Sequence, residues 1–182
     1  MEAGPGQNRR LVRGQTFTFL FPPLAPKSLR IKKMRTLKTL LLVDDSENDI
    51  ELTLEALRSI GLANEIVVAR DGVEALDYFY RRGEFSNREQ GLPVAVLLDL
   101  KLPRLNGLEV LKVIKSDPQL KTTPVIVLTS SREEQDLVEG YRLGVNAFVV
   151  KPVDFQQFTA SVRQLGCFWA LINEAPPSRI DA

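Results

Sequence analysis

Five short apolar runs punctuate this chain of 182 residues: TLLLVDD, NEIVVAR, VAVLLD, PVIVLT and AFVVK, each followed by an amphipathic stretch. Runs of this length, rich in Val and Leu, read as buried parallel strands. Strict alternation with helices gives a parallel sheet covered on both faces, with right-handed crossovers. In an open sheet of that kind chemistry gathers outside the carboxyl ends of the strands. Four of the runs end in polar residues: Asp44 and Asp45, Asp99, Thr129, and Lys151 followed by Pro152. Three carboxylates, a hydroxyl and an ammonium therefore converge on one edge, a setting for a divalent cation and a phosphoryl group.

The stretches between the runs have helical period. Ile50, Leu54 and Leu57 make one apolar stripe, with Gly61 as its C-cap. Asp71-Gly72 leads into a second helix with Val73, Leu76 and Phe79 inward, and EFSNREQGLP is a polar loop. LEVLKVIKSD is helical and stops before Pro118. Ser131 with Glu134 three residues on is a capping-box pattern for a fourth helix, and a fifth spans 154–173.

Composition narrows the chemistry. The chain has no histidine and one cysteine, Cys167. Histidine bases, Ser-His-Asp triads, histidine metal ligands and an internal disulfide framework are all excluded. No apolar run approaches the roughly 18 residues of a membrane span. The net charge of +1 hides a split: residues 1–33 carry +6 and the remainder −5. Residues 1–33 read as a disordered basic arm or as mis-assigned sequence upstream of a start at Met34. The folded unit is expected over 34–174, with a flexible tail over 175–182.

Each candidate has an ordinary reading beside its functional one. Asp44 and Asp45 are either a seat for a hard cation, which relieves their mutual repulsion, or caps for the next helix. Asp99 closes a buried strand, where an acid is costly unless it opens on a polar pocket. Thr129 is either a β-branched strand residue or a hydroxyl donor to a phosphoryl oxygen. Lys151 is held extended by Pro152. Together the four types suit phosphoryl transfer to a carboxylate nucleophile, with cations neutralising the phosphoryl oxygens.

The motifs VDD, LLDLKLPRLNG, VLTSS and FVVKP, in this order, resemble the receiver domain of two-component response regulators over roughly residues 38–173. Pro103 and Gly107, four and eight residues after Asp99, fit the same pattern. The resemblance implies a flavodoxin-like doubly wound sheet of strand order 2-1-3-4-5. It implies that Asp99 accepts a phosphoryl group from a sensor histidine kinase. It further implies that Asp45, Asp99 and the Lys101 backbone carbonyl bind Mg2+ directly, with Asp44 acting mostly through water. Thr129 and Lys151 then bind the phosphoryl group, and Phe148 is the aromatic switch. Pro103, Gly107 and Pro152 set loop geometry. The loop GEFSNREQGLP and the ending FWALINEAPP are similar to the stand-alone regulators associated with bacterial phytochromes, which suggests a phytochrome-like kinase.

The expected product is a cytoplasmic, phosphoaccepting signalling protein rather than an enzyme. Output runs through protein contacts, since about ten residues follow the last helix and an acidic body repels DNA. A homodimer is expected through the last helix, with Cys167, Phe168, Trp169 and Ile172, or through the face of the fourth helix, fifth strand and fifth helix. The main alternative is a receiver-like module that binds without phosphorylation. A haloacid-dehalogenase-like phosphohydrolase fits less well, because Lys101 stands where a second Asp is needed. A flavodoxin-like cofactor domain also fits less well, because DDSEND repels phosphate.

Overall fold

Leu40, Leu41, Leu42 and Val43 are all buried, so the first strand has no solvent face and needs cover on both sides. The computed structural model describes residues 39–130 and 133–173. The expectations placed on residues 1–33, on Ser131 and on the tail from 175 lie outside them. The elements run β1 (Leu40–Val43), α1 (Glu47–Ser59), β2 (Ile66–Ala69), α2 (Gly72–Tyr80), β3 (Ala95–Leu98), α3 (Gly107–Ser116), β4 (Val125–Thr129), α4 (Glu134–Arg142), β5 (Ala147–Val150) and α5 (Phe155–Gly166). All strand pairs are parallel, in the order β2-β1-β3-β4-β5. This is the flavodoxin-like order that the resemblance implies.

Alternate residues of each strand feed two cores. Leu41, Val43, Val96 and Leu98 pack with Ala75, Tyr78, Phe79, Val110, Leu111 and Ile114 from α2 and α3. Leu40, Leu42, Ala95 and Leu97 pack with Ile50, Ala56, Leu57, Phe158 and Val162 from α1 and α5. The central strands are fully buried, whereas the edge strands β2 and β5 are half-buried. As expected, α2 turns Phe79 inward, but it buries Ala75 and Tyr78 with it and leaves Val73 and Leu76 only partly buried. At its start Gly72 sits so close to the Leu105 carbonyl that a Cβ would stand 2.1 Å from it.

Helix ends follow local chemistry. Ser46 caps α1, Asp71 caps α2 through the N–H groups of Val73 and Glu74, and Asp154 caps α5. Gly61 adopts φ +68° and donates its N–H to the Arg58 carbonyl, the expected left-handed stop. The reciprocal capping box is at α3, between Asn106 and Glu109; Glu133 precedes α4 without a side-chain cap. The expected single helix 154–173 divides, α5 giving way at Cys167–Ile172 to a π-helical turn. The polar loop after α2 is tied down by Arg88. Its guanidinium lies 4.1 Å from the Tyr78 ring centre and donates to the carbonyls of Tyr78, Glu89 and Gly91.

Candidate functional site

The sheet ladder continues one residue past three strand ends and fixes the site's backbone. Asp44 N–H donates to Ala69 O at 3.1 Å, Asp99 N–H to Val43 O at 2.9 Å, and Lys151 N–H to Thr129 O at 2.7 Å. Parallel register therefore sets Asp44, Asp99, Thr129 and Lys151 on one edge, all of them buried.

Lys151 is the hub. Its Nζ lies 2.6 Å from Asp44 Oδ2, 2.7 Å from Asp99 Oδ2 and 2.7 Å from Asp49 Oδ2. Burial by itself would lower the pKa of this lysine, but hydrogen bonds to three carboxylates and the charge of Asp99 raise it, so it stays an ammonium. Asp44 is raised above the usual carboxylate range, chiefly by burial, which its contacts with Lys151 only partly offset. One ammonium among three acids leaves a charge deficit.

That deficit suits a divalent cation. Oxygens of Asp44, Asp49 and Asp99 all lie within 4.8 Å of one another, a spread that a hard ion taking oxygen ligands can span. Asp45 is exposed and the structure does not bring it into this group. Ser46 N–H holds Asp44 inward through its Oδ1 at 3.0 Å, whereas Asp45 lies on the bend that follows β1. Asp49 is the residue that sequence reasoning missed. Its signal was an acid one helical turn after Asp45, which reads equally well as a first-turn helix acid.

The loop after β3 shapes the surroundings of Asp99. Lys101 N–H donates to Asp99 Oδ1 at 3.1 Å, while its side chain is exposed. Leu105 N–H donates to Pro103 O at 2.7 Å, and Gly107 N–H to Leu100 O at 2.9 Å. A Cβ on Gly107 would stand 2.2 Å from Asp99 O, so only glycine allows the loop to close there. Arg104, at φ +64°, pairs with the buried cap Asp71 and ties the loop to α2. Burial alone would raise Asp71, but hydrogen bonds from Glu74 N–H, Arg104 and Val73 N–H hold it low.

Phe148 sits in β5 three residues before Lys151, half-buried against the core under α4. A Cβ on Gly140 would lie 3.4 Å from its ring, so α4 offers the ring a smooth surface. Pro152 is partly buried beyond Lys151. Leu137, Val138, Tyr141, Val150, Val153 and Phe155 leave α4, β5 and the start of α5 with an exposed apolar face.

Residues 40–163 match the response regulator receiver domain family. Over 132 residues the chain is 38% identical to the response regulator Rcp1 of Synechocystis sp., covering 72% of this chain and 88% of that protein. The crystal structure of Rcp1 in its Mn2+-bound form is similar at TM-score 0.72 and 36% identity, over 77% of this chain and 99% of that one. The phosphorylated cyanobacterial phytochrome response regulator RcpA is similar at TM-score 0.72 and 40% identity, over 77% and 99% of the two chains. The bacteriophytochrome response regulator AtBRR is 59% identical at TM-score 0.63, over 77% of this chain and 100% of that one. Among the described residues no helix is long and apolar enough to cross a membrane.

Proposed function

This chain belongs to the response regulator receiver family, and on that premise we propose that Asp99 is its phosphoacceptor. The observation that carries the reading is the buried Asp99 carboxylate, held at 2.7 Å by Lys151 Nζ at the carboxyl edge of the sheet. A carboxylate oxygen of Asp99 attacks the phosphorus of a phosphohistidine on a sensor kinase. The P–N bond breaks, the imidazole leaves, and an acyl phosphate remains. No general base is needed, because a carboxylate attacks without giving up a proton, so a chain without histidine loses nothing.

Lys151 and Thr129 receive the phosphoryl oxygens. Mg2+, when bound, neutralises those oxygens so that an anion can approach an anion. Its proposed seat is Asp45, Asp99 and the Lys101 carbonyl, with Asp44 mostly through water, which requires Asp45 to turn in from the exposed position it holds here. Drawing Thr129 toward the phosphoryl group lets Phe148 move inward, which biases a two-state equilibrium at the α4–β5–α5 face. The exposed Val153 and Phe155 on that face favour output through protein contacts. A homodimer through this face, or through Phe168 and Ile172 of the π-helical turn Cys167–Ile172, is proposed on the same exposure.

The kinase partner we propose is phytochrome-like, a choice supported by the likeness to AtBRR and RcpA, and we place the regulator itself in the cytoplasm. Incubation with Mg2+ and acetyl phosphate, followed by intact mass, tests the acceptor. A phosphoryl adduct absent from Asp99→Asn is the expected result. No adduct on the wild-type chain under any condition leaves a module that binds without phosphorylation.

A further inference from the structure

An ammonium has three N–H donors, and Lys151 spends all three on carboxylates: Asp44, Asp99 and Asp49. The three acceptors differ in their other duties. On the reading that Asp99 is the acceptor, its oxygens must turn to phosphorus and to the cation, and Asp44 belongs to the cation seat. Asp49 comes from the first turn of α1, where Ser46 Oγ accepts its backbone N–H at 3.4 Å. Its side chain is about one third exposed, whereas that of Lys151 is 6% exposed.

We propose that Asp49 is a positioning residue, the acceptor that keeps Lys151 anchored over Asp99 while the other two carboxylates are taken by the cation and the incoming phosphoryl group. Asp49 touches neither the nucleophile nor the phosphorus in this role. It acts through the lysine, which gives up its N–H to Asp99 and offers it to a phosphoryl oxygen without leaving the pocket. Without Asp49 the freed ammonium has no third partner, and the orientation of its remaining donors is lost.

The test times phosphoryl uptake from acetyl phosphate at saturating Mg2+ on the full chain, for the wild type, Asp49→Ala and Asp49→Asn. Mn2+ affinity is measured separately by electron paramagnetic resonance, and melting curves confirm folding. Asp49→Ala is expected to slow uptake roughly ten-fold, the worth of one charge-assisted hydrogen bond. Asp49→Asn should regain most of the rate, because its amide oxygen still accepts from Nζ.

Three results overturn the proposal: an unchanged rate in Asp49→Ala; an Asp49→Asn as slow as Asp49→Ala; or a slow rate that extra Mg2+ restores while Mn2+ affinity falls in step. The last makes Asp49 a cation ligand. Failure of the acceptor reading is seen separately, as a wild-type chain that takes up no phosphoryl group at all.

Discussion

Replacing Lys151 with Met keeps much of the side chain's volume and removes the one ammonium among Asp44, Asp49 and Asp99. Their oxygens lie within 4.8 Å of one another. At that range and an effective dielectric near 20, each pair of unit charges repels by about 3.5 kcal/mol. Such a cluster does not stay fully ionised, and losing one partner of a buried pair costs about 3–5 kcal/mol. Asp49 is partly exposed, which places the variant near the lower end, about 3 kcal/mol. For a domain of this size that is a fall in Tm of about 10 °C at pH 7 in chelator.

Two further signatures follow. Asp44 is already raised by burial and only partly offset by Lys151; with the lysine gone that offset is lost, so the variant's deficit against the wild type narrows as pH falls. Mg2+ then meets three unpaired carboxylates and raises Tm more in Lys151→Met than in the wild type. Differential scanning calorimetry at several pH values, with and without Mg2+, reads all three effects. A fall below about 3 °C in chelator, or a Mg2+ gain no larger than that of the wild type, refutes the convergence of three acids on one lysine.

Gly107→Ala drives a Cβ to 2.2 Å from Asp99 O and 2.7 Å from Leu100 Cα. The expected loss is about 3 kcal/mol, and an unchanged urea midpoint contradicts the close approach. Arg104→Ala leaves the buried Asp71 without its ion pair, but Arg104 is half exposed, so the expected loss is about 1 kcal/mol. Asp71 is held low in the folded state. Its contribution is therefore present above the unfolded value and lost as pH falls through the folded one, and the two proteins converge below about pH 4. An acid titration of unfolding in which they stay apart counts against this. Lys101 stands two residues after Asp99 and bonds it through its backbone N–H, so Lys101→Asn is expected to change the lifetime of the phosphorylated state; equal dephosphorylation rates exclude that role.

The sheet edge was legible in the sequence because a parallel strand buried on both faces leaves only its ends for polar chemistry. Asp44, Asp99, Thr129 and Lys151 each follow from a run of apolar residues that stops, and a parallel ladder aligns such stops. The helices were legible from the apolar period of the stretches between the strands. Rotation about a helix axis was less so: α2 buries Ala75 and Tyr78 more deeply than Val73 and Leu76, and the close seat of Gly72 on the Leu105 carbonyl is a contact that no hydrophobic pattern announces. Arg88 was read as part of a polar loop, since its three carbonyl partners and the Tyr78 ring assemble only after the chain turns back. Asp49 was hidden by a competing local role, because an acid in the first turn of a helix is already explained by the helix dipole.

The same strand end joins the site to the surface. Among the described residues β5 pairs only with β4, and its residues are half-buried to exposed where those of β4 are fully buried. An edge strand with one ladder and a partial core has fewer contacts to break when it shifts. Lys151, at its end, is tied to Thr129 by a backbone bond of 2.7 Å, and Phe148 lies three residues earlier against the smooth face of Gly140. Any pull on Lys151 and Thr129 thus reaches Phe148 along one short, lightly anchored strand, and Val150 of that strand is already exposed. A site on the central strands alone would have no such lever: Asp99 follows β3, whose four residues are all buried between two cores.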